Sequence, residues 1–429
     1  MRNPGRRKIS AGTIVMLAAL VIVLALTVFL LARLSSGGQA DLRRLRRDTA
    51  DPEETGSTQE SRTAEPAAEK PAPVPTAAPV PAESGRTEPE EQVITLTFAG
   101  TVALDGEVRT NSYYSEAKQY DFYDTMALLR RELQSDLNIC FLENILTGEG
   151  KTSDTVSTPA GAAMLKNAGF NAAACGFSKA YDKTETGIAS TRKILSEQGI
   201  VPLGVYENSA EEHFRILDVK GVRVALLQYT DTVPASARRN MEKKGTSGMV
   251  PAADPEMIAA DISAARARGC DTVIVLLNWG KNGKAPDKNM RSLAQKITDA
   301  GADLIVGSGS RIVSGAELLT SAGNGKQVLC VWSLGTVLSG SRELRKMAGM
   351  LLQVTVRKAD GQTRIGDFRY IPLYTWKYWQ DSRYYYRCLA SNGSVPDGMD
   401  SEQQKNMKKA AETVRKAMKD SPAEERISE

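Results

Sequence analysis

From Val93 onward, short aliphatic and β-branched runs alternate with longer stretches of helical periodicity, the pattern of strands separated by helices. The strand candidates are VITLTFAG (93–100), NICFL (138–142), FNAAAC (170–175), VPLGV (201–205), DTVIVLL (271–277), ADLIVG (302–307) and QVLCVWSLG (327–335). Thr158-Pro159 and Asp254-Pro255 open two of the intervening helices, each a capping side chain followed by proline at the first helical position. Two hairpins interrupt the alternation. Phe214 to Val219 and Val222 to Thr230 flank Lys220-Gly221, and Met350 to Arg357 and Arg364 to Ile371 flank KADGQT. Hairpins add antiparallel pairs, so the expectation is an α/β fold with a mixed sheet.

The pattern before residue 93 is different. Residues 1–10 form a short basic tail, and residues 11–33 hold the nearly uncharged run AGTIVMLAALVIVLALTVFLLA, long enough as a helix to cross the roughly 30 Å core of a bilayer. A cleaved signal peptide has a shorter apolar core, about 7–15 residues, so the run reads as a transmembrane anchor. Basic residues flank it on both sides, and the long C-terminal part behind a signal anchor is expected outside the cytoplasm. Residues 34–92, rich in Pro, Ala and Glu with PAPVPTAAPVP at their centre, read as an extended, disordered stalk.

Charge follows the same division. Residues 1–47 carry nine basic groups and one acidic, so of the net +4 they hold +8, leaving −4 for residues 48–429. A mildly acidic globular part argues against nucleic acid as a partner, and the juxtamembrane arginines suit anionic lipid headgroups. The five cysteines show no CxxC spacing, and the first four lie in or beside apolar runs, which reads as buried thiols rather than a disulfide framework.

Several segments together resemble the CapA family, the poly-gamma-glutamate capsule-synthesis proteins with a metallophosphatase-like fold. The carriers are FAGTVAL (98–104), FLENILT (141–147), LKNAGFNAAACG (165–176), GVRVALLQYTD (221–231), DTVIVLLNWG (271–280), DAGADLIVGSGSRIVSGAEL (299–318) and VWSLGTVL (331–338). The resemblance implies a mixed β-sheet sandwich flanked by helices over residues 93–375. A C-terminal strand region, an amphipathic helix from Asp400 to Lys419 and a frayed tail would occupy 376–429.

The resemblance also locates where family members keep metal ligands, and here those positions are altered. The family's Gly-Asp stands as Gly100-Thr101, with Asp105 four residues on. Leu-Glu-Gly stands as Leu142-Glu143-Asn144, and Asn-Asn-His aligns with Phe177-Ser178-Lys179. His-Trp-Gly stands as Asn278-Trp279-Gly280, Gly-His-His-Pro-His as Gly307-Ser308-Gly309-Ser310-Arg311, and Ser-Leu-Gly-Asn-Phe as Ser333-Leu334-Gly335-Thr336-Val337. Bridged metal pairs need imidazoles and carboxylates, and the chain has one histidine in 429 residues. That residue, His213, matches no family motif and reads as a plain strand-edge histidine.

The expectation is therefore a membrane-held, extracytoplasmic, catalytically degenerate protein of capsule or envelope-polymer synthesis. Its partners would be the membrane, an anionic envelope polymer or other capsule-synthesis proteins, and it would need no cofactor, a weak divalent metal being disfavoured. Ligand-binding candidates are Thr101, Asp105, Glu143, Lys179, Asn278, Ser308, Ser310 and Arg311. Lys179 and Arg311 place fixed cations where ligands once held metal; they would either form an anion pocket, neutralise Glu143 internally or turn outward into water. The alternative is a hydrolase or transferase of amide or phosphoester bonds, with Glu143 and Lys179 as catalytic candidates aided by Arg311 or magnesium. A Ser-Lys pair drawn from Ser178, Ser308 or Ser310 is a further variant. A purely structural spacer is disfavoured by the glycines retained at 100, 280, 307 and 335.

Overall fold

The computed structural model describes residues 91–148 and 151–428. The tail, anchor and stalk expected before residue 91 lie outside them, and no helix among the described residues is long and apolar enough to cross a membrane. The described residues make up one compact unit.

The chain builds one sheet, leaves it for a second, and returns. Strands β1 (Gln92–Val102), β2 (Leu137–Leu142), β3 (Ala172–Ala174) and β4 (Val201–Leu203) pair in parallel. Helices α1 (Gly106–Asn111), α2 (Pro159–Ala168) and α3 (Thr184–Glu197) fall between them. Strands β5 (Phe214–Val219), β6 (Val222–Thr230), β7 (Thr272–Asn278), β8 (Leu304–Ser308), β9 (Ala316–Thr320) and β10 (Gln327–Val331) form the second sheet in the order β9-β10-β8-β7-β6-β5. Helices α4 (Pro255–Ala267) and α5 (Lys288–Asp299) precede β7 and β8. Strands β11 (Thr336–Leu338), β12 (Ala348–Ala359), β13 (Gln362–Gln380) and β14 (Arg383–Ala390) then complete the first sheet, with helix α6 (Ser401–Met418) and β15 (Glu424–Glu425) at the end. Both sheets are mixed, because the hairpins turn at Lys220-Gly221 and Asp360-Gly361, where each residue has positive φ as two-residue hairpin turns require.

Three buried clusters define four layers. Ile94, Leu96 and Phe98 of β1 meet Leu226 of β6 and Ile274 and Leu276 of β7 between the sheets. Ala99 and Val102 face α2 and α3 across the first sheet, and Val273, Val275 and Leu277 face α4 and α5 across the second. The period-two alternation of strands thus supplies both faces of each sheet, giving a helix–sheet–sheet–helix sandwich. Gln228 of β6 ties the sheets at one point: its amide receives Gly176 N–H and donates to Gly176 O, both at 2.8 Å. It fits only because Gly204, at φ +70°, has no Cβ; one built there would lie 1.3 Å from the Gln228 side-chain oxygen.

Three expectations needed revision. The run 327–335 is not one strand: β10 ends at Val331, and Thr336–Leu338 crosses to the first sheet to pair with β1. The division at 375/376 falls inside β13, and α6 buries Met407, Ala410, Val414 and Met418 in the inter-sheet cluster, so the C-terminal region completes the same sandwich. The residues after α6 are docked rather than frayed. β15 pairs with β13, and the Glu132 carboxylate, 2% exposed, receives Ser428 Oγ at 2.6 Å and Arg426 Nη2 at 2.9 Å. All five cysteines are buried and unpaired; burial, against an opposing backbone hydrogen bond at Leu203, pushes the Cys175 thiol up to about 12.

A charge cluster at the seam of the two sheets

The C-terminal ends of β1, β2, β7 and β8 gather at one edge of the sandwich, where α/β folds place their ligands. A bulge in β1 aims the first of their side chains. Pairing with β2 slips between Ala99 and Thr101, and an extra residue reverses the faces of the positions beyond it. Val102 therefore packs toward the helices, while Thr101 reaches across the seam to Ser308 of β8, with Oγ to Oγ at 2.9 Å. Gly100 makes the bulge possible because a Cβ there would sit 2.3 Å from the Gly335 carbonyl oxygen.

Glu143 comes directly after the last residue of β2 and is only 8% exposed. Its Oε1 receives Asn278 Nδ2 at 3.1 Å and Thr101 Oγ1 at 3.3 Å. Its Oε2 receives Arg311 Nη2 at 2.7 Å and Nε at 3.1 Å. A carboxylate has about four acceptor positions, so those of Glu143 are all filled. The third arm of the guanidinium, Nη1, donates to Asp105 Oδ2 at 2.8 Å, and Asp105 Oδ1 receives the Gly340 N–H at 2.7 Å. Burial pushes the Arg311 guanidinium down, but the Glu143 and Asp105 charges outweigh it and hold the cation well above its usual range. Arg311 sits at φ +60°, a left-handed conformation that costs a side-chain-bearing residue free energy, and Thr336 Oγ1 fixes its carbonyl at 2.9 Å.

The remaining site candidates separate into three groups. Ser310 is buried and bonds Ile312 O at 3.2 Å rather than the cluster. Lys179 is exposed in the turn at 178–180 and forms no ion pair with the described residues. Its charge instead reaches Asp182, whose carboxyl burial pushes up and Lys179 then draws back. Among the described residues no Ser-Lys hydrogen bond is formed: Ser308 bonds Thr101 and Ser310 bonds Ile312 O. His213 stands apart as well, its Nδ1 lying 3.2 Å from Asp261 Oδ2.

Sequence reasoning missed the supporting contacts from Thr232, which donates to Asn278 Oδ1 at 3.1 Å, from Thr336 and from the Gly340 amide. Nothing in their spacing marks them, because Thr232 and Gly340 lie in loops and Thr336 at the start of β11, all distant in sequence from the residues they support. The retained glycines prove to be packing requirements. A Cβ at Gly307 would lie 2.2 Å from Trp332 O and 2.3 Å from Trp279 Nε1, so the buried Trp279 and its 2.8 Å bond to Trp332 O require glycine there. Their persistence therefore says nothing for or against a function.

As a class, this is a four-layer α/β sandwich whose ligand edge carries an internally neutralised acid–arginine cluster. Among the described residues, no three His, Cys, Asp or Glu side chains gather as a metal site would need. The chain belongs to the bacterial capsule synthesis protein family PGA_cap, whose sequence model matches residues 95–341. It is 30% identical over 198 residues to the PGA biosynthesis protein CapA of Bacillus subtilis strain 168, covering 46% of this chain and 49% of that one. It is 28% identical over 214 residues to the capsule biosynthesis protein CapA of Bacillus anthracis, covering 49% of each. The chain thus matches about half the length of these curated relatives. Among solved structures, the calcineurin-like phosphoesterase YfkN of Bacillus subtilis aligns with 76% of this chain and 100% of that chain at 16% identity and a TM-score of 0.37, too loose a likeness to bear on chemistry.

Proposed function

We propose that this protein acts in the synthesis or assembly of an anionic envelope polymer of the polyglutamate type as a non-catalytic member of its family. It would be held at the membrane by residues 11–33 with the sandwich outside the cytoplasm. Family membership supports the polymer, and the saturated Glu143 carboxylate carries the non-catalytic part. A general base or a metal ligand needs a free lone pair directed at its target, and each of those of Glu143 already accepts from Thr101, Asn278 or Arg311. Arg311 also bridges to Asp105, so its guanidinium occupies the place between the two carboxylates that a divalent cation would take. The donor set does not fit a bridged metal pair. The same saturation counts against a hydrolase or transferase built on Glu143 and Lys179.

The test combines metal content with complementation. The purified full chain should carry no stoichiometric zinc, manganese or iron, and its melting temperature should not respond to a chelator. In cells lacking the gene, a folded Glu143→Gln variant should restore polymer production as well as the wild type does. Stoichiometric metal that is lost with Glu143→Gln, or polymer production abolished by that variant at unchanged stability, would overturn the reading.

A further inference from the structure

Among the exposed large aromatic side chains of the described residues, Trp379 and Tyr384 stand on the outer half of the β13–β14 hairpin, and Tyr123 lines a neighbouring depression with Tyr384. Trp379 is 62% exposed and Tyr123 52%. The hairpin carries a ladder of rings on one face, with Trp376 stacked on Tyr378 at 4.3 Å and Tyr378 on Tyr385 at 5.4 Å. On the other face, Trp379 and Tyr384 meet edge-on at 4.7 Å, and the Lys377 ammonium lies 3.8 Å over the Tyr384 ring. Between this hairpin and the start of α6 runs a groove of about 570 Å³, lined by Tyr378, Trp379, Arg387, Asp397 and Gln403 among others. Trp376 in its wall is 3% exposed and keeps a buried indole N–H with no acceptor among the described residues.

Trp379 and Tyr384 both line this groove; exposed rings at a concave place mark a binding surface rather than chance exposure, and the charges decide what it suits. The two cations of the groove are already engaged: Lys377 Nζ lies 2.5 Å from Glu107 Oε2 and Arg387 Nη2 3.6 Å from Asp124 Oδ2. The groove's lining sets Asp397 and Asp400 against these two cations, so it carries no net positive charge to draw an anionic polymer. Asp397 and Asp400 line the same groove and would repel anionic lipid headgroups. The groove offers flat ring faces together with amides and carboxylates, and the Gln403 carbonyl already accepts Tyr374 OH at 2.6 Å, leaving its amide nitrogen to donate. Rings cover the apolar faces of a ligand while such groups pair with its hydroxyls.

We propose that this groove binds a glycan, a chain of uncharged hexose units whose C–H faces stack on the exposed ring of Trp379 and whose hydroxyls bond Asp397 and Gln403. The site is separate from the seam cluster, and it makes the protein a bridge between the polymer machinery and a sugar-bearing envelope component. The proposal does not depend on the polymer assigned above.

The test titrates the full chain with hexa-N-acetylchitohexaose and with cellohexaose, following tryptophan fluorescence and calorimetry. At least one should bind saturably, with little change in affinity between about 50 and about 500 mM salt. Trp379→Ala should weaken that binding by about tenfold or more while leaving the unfolding midpoint unchanged, and Trp379→Phe should retain most of it. Asp397→Ala gives a second exposed variant that weakens binding without touching the rings. The proposal is overturned if neither sugar binds at millimolar concentration, or if Trp379→Ala leaves their affinity intact. It also fails if the aromatic surface binds polyglutamate or phosphatidylglycerol vesicles in place of the sugars.

Discussion

Replacing Arg311 with methionine removes the cation from the seam while keeping much of its apolar volume. Three of its N–H groups bond carboxylates at 2.7, 2.8 and 3.1 Å. At an effective dielectric near 20, each close ion pair is worth about 4 kcal/mol before desolvation, and burial of the guanidinium cancels a large part of that. The variant loses the difference and also strands two carboxylates, Glu143 at 9% and Asp105 at 15% side-chain exposure. Breaking such a pair costs about 3–5 kcal/mol, and the 23% exposure of Arg311 places this case near the lower end, about 3 kcal/mol.

Denaturant unfolding of the full chain followed by tryptophan fluorescence measures this directly, since all four tryptophans lie in the sandwich. In the Arg311→Met, Glu143→Gln double variant the more buried of the two stranded charges is gone, so about 2 kcal/mol should be recovered as a coupling energy. A loss below about 1 kcal/mol, or an equal loss in the Glu143→Gln background, would refute the internal-neutralisation argument.

Other variants test separate parts of the fold. Arg311→Gly should be less destabilised than Arg311→Ala by about 1 kcal/mol, because glycine accepts the φ of +60° at this position without strain. Gly204→Ala should cost about 3 kcal/mol or more through collision with Gln228, and equal stability in thermal melts would contradict the packing described. Truncation before Glu424 removes the Arg426 and Ser428 donors from buried Glu132 and should cost about 3 kcal/mol, whereas a dispensable tail would leave the melting curve unmoved. Burial pushes the Asp136 carboxyl up, but bonds from Lys220 and Thr95 outweigh it and leave it lowered. Its contribution is therefore present above the unfolded value near 4 and is lost as pH falls through the lower folded value. Asp136→Asn should flatten that acid limb in pH-dependent unfolding.

The strands, hairpins and family were written in local sequence, because apolar periodicity and turn residues act over a few positions. Lys220-Gly221 and Asp360-Gly361 signal their hairpins without help from the rest of the chain, and Asp254 caps its helix as its place before Pro255 implies, accepting from Glu256 N and Met257 N. The loss of imidazoles was equally legible, since the chain has one histidine. The fate of the charges that replaced them was not. Lys179 and Arg311 look equivalent in sequence, yet one is exposed in a turn and the other is fixed between Glu143 and Asp105. That outcome depends on residues 168 and 206 positions away from Arg311, on a bulge at Gly100 that turns Thr101 toward the seam, and on a loop held at positive φ. Local sequence fixes which residues can carry charge; only the packing of two sheets against each other decides which charges meet, because the energy of an ion pair depends on separation and burial in space.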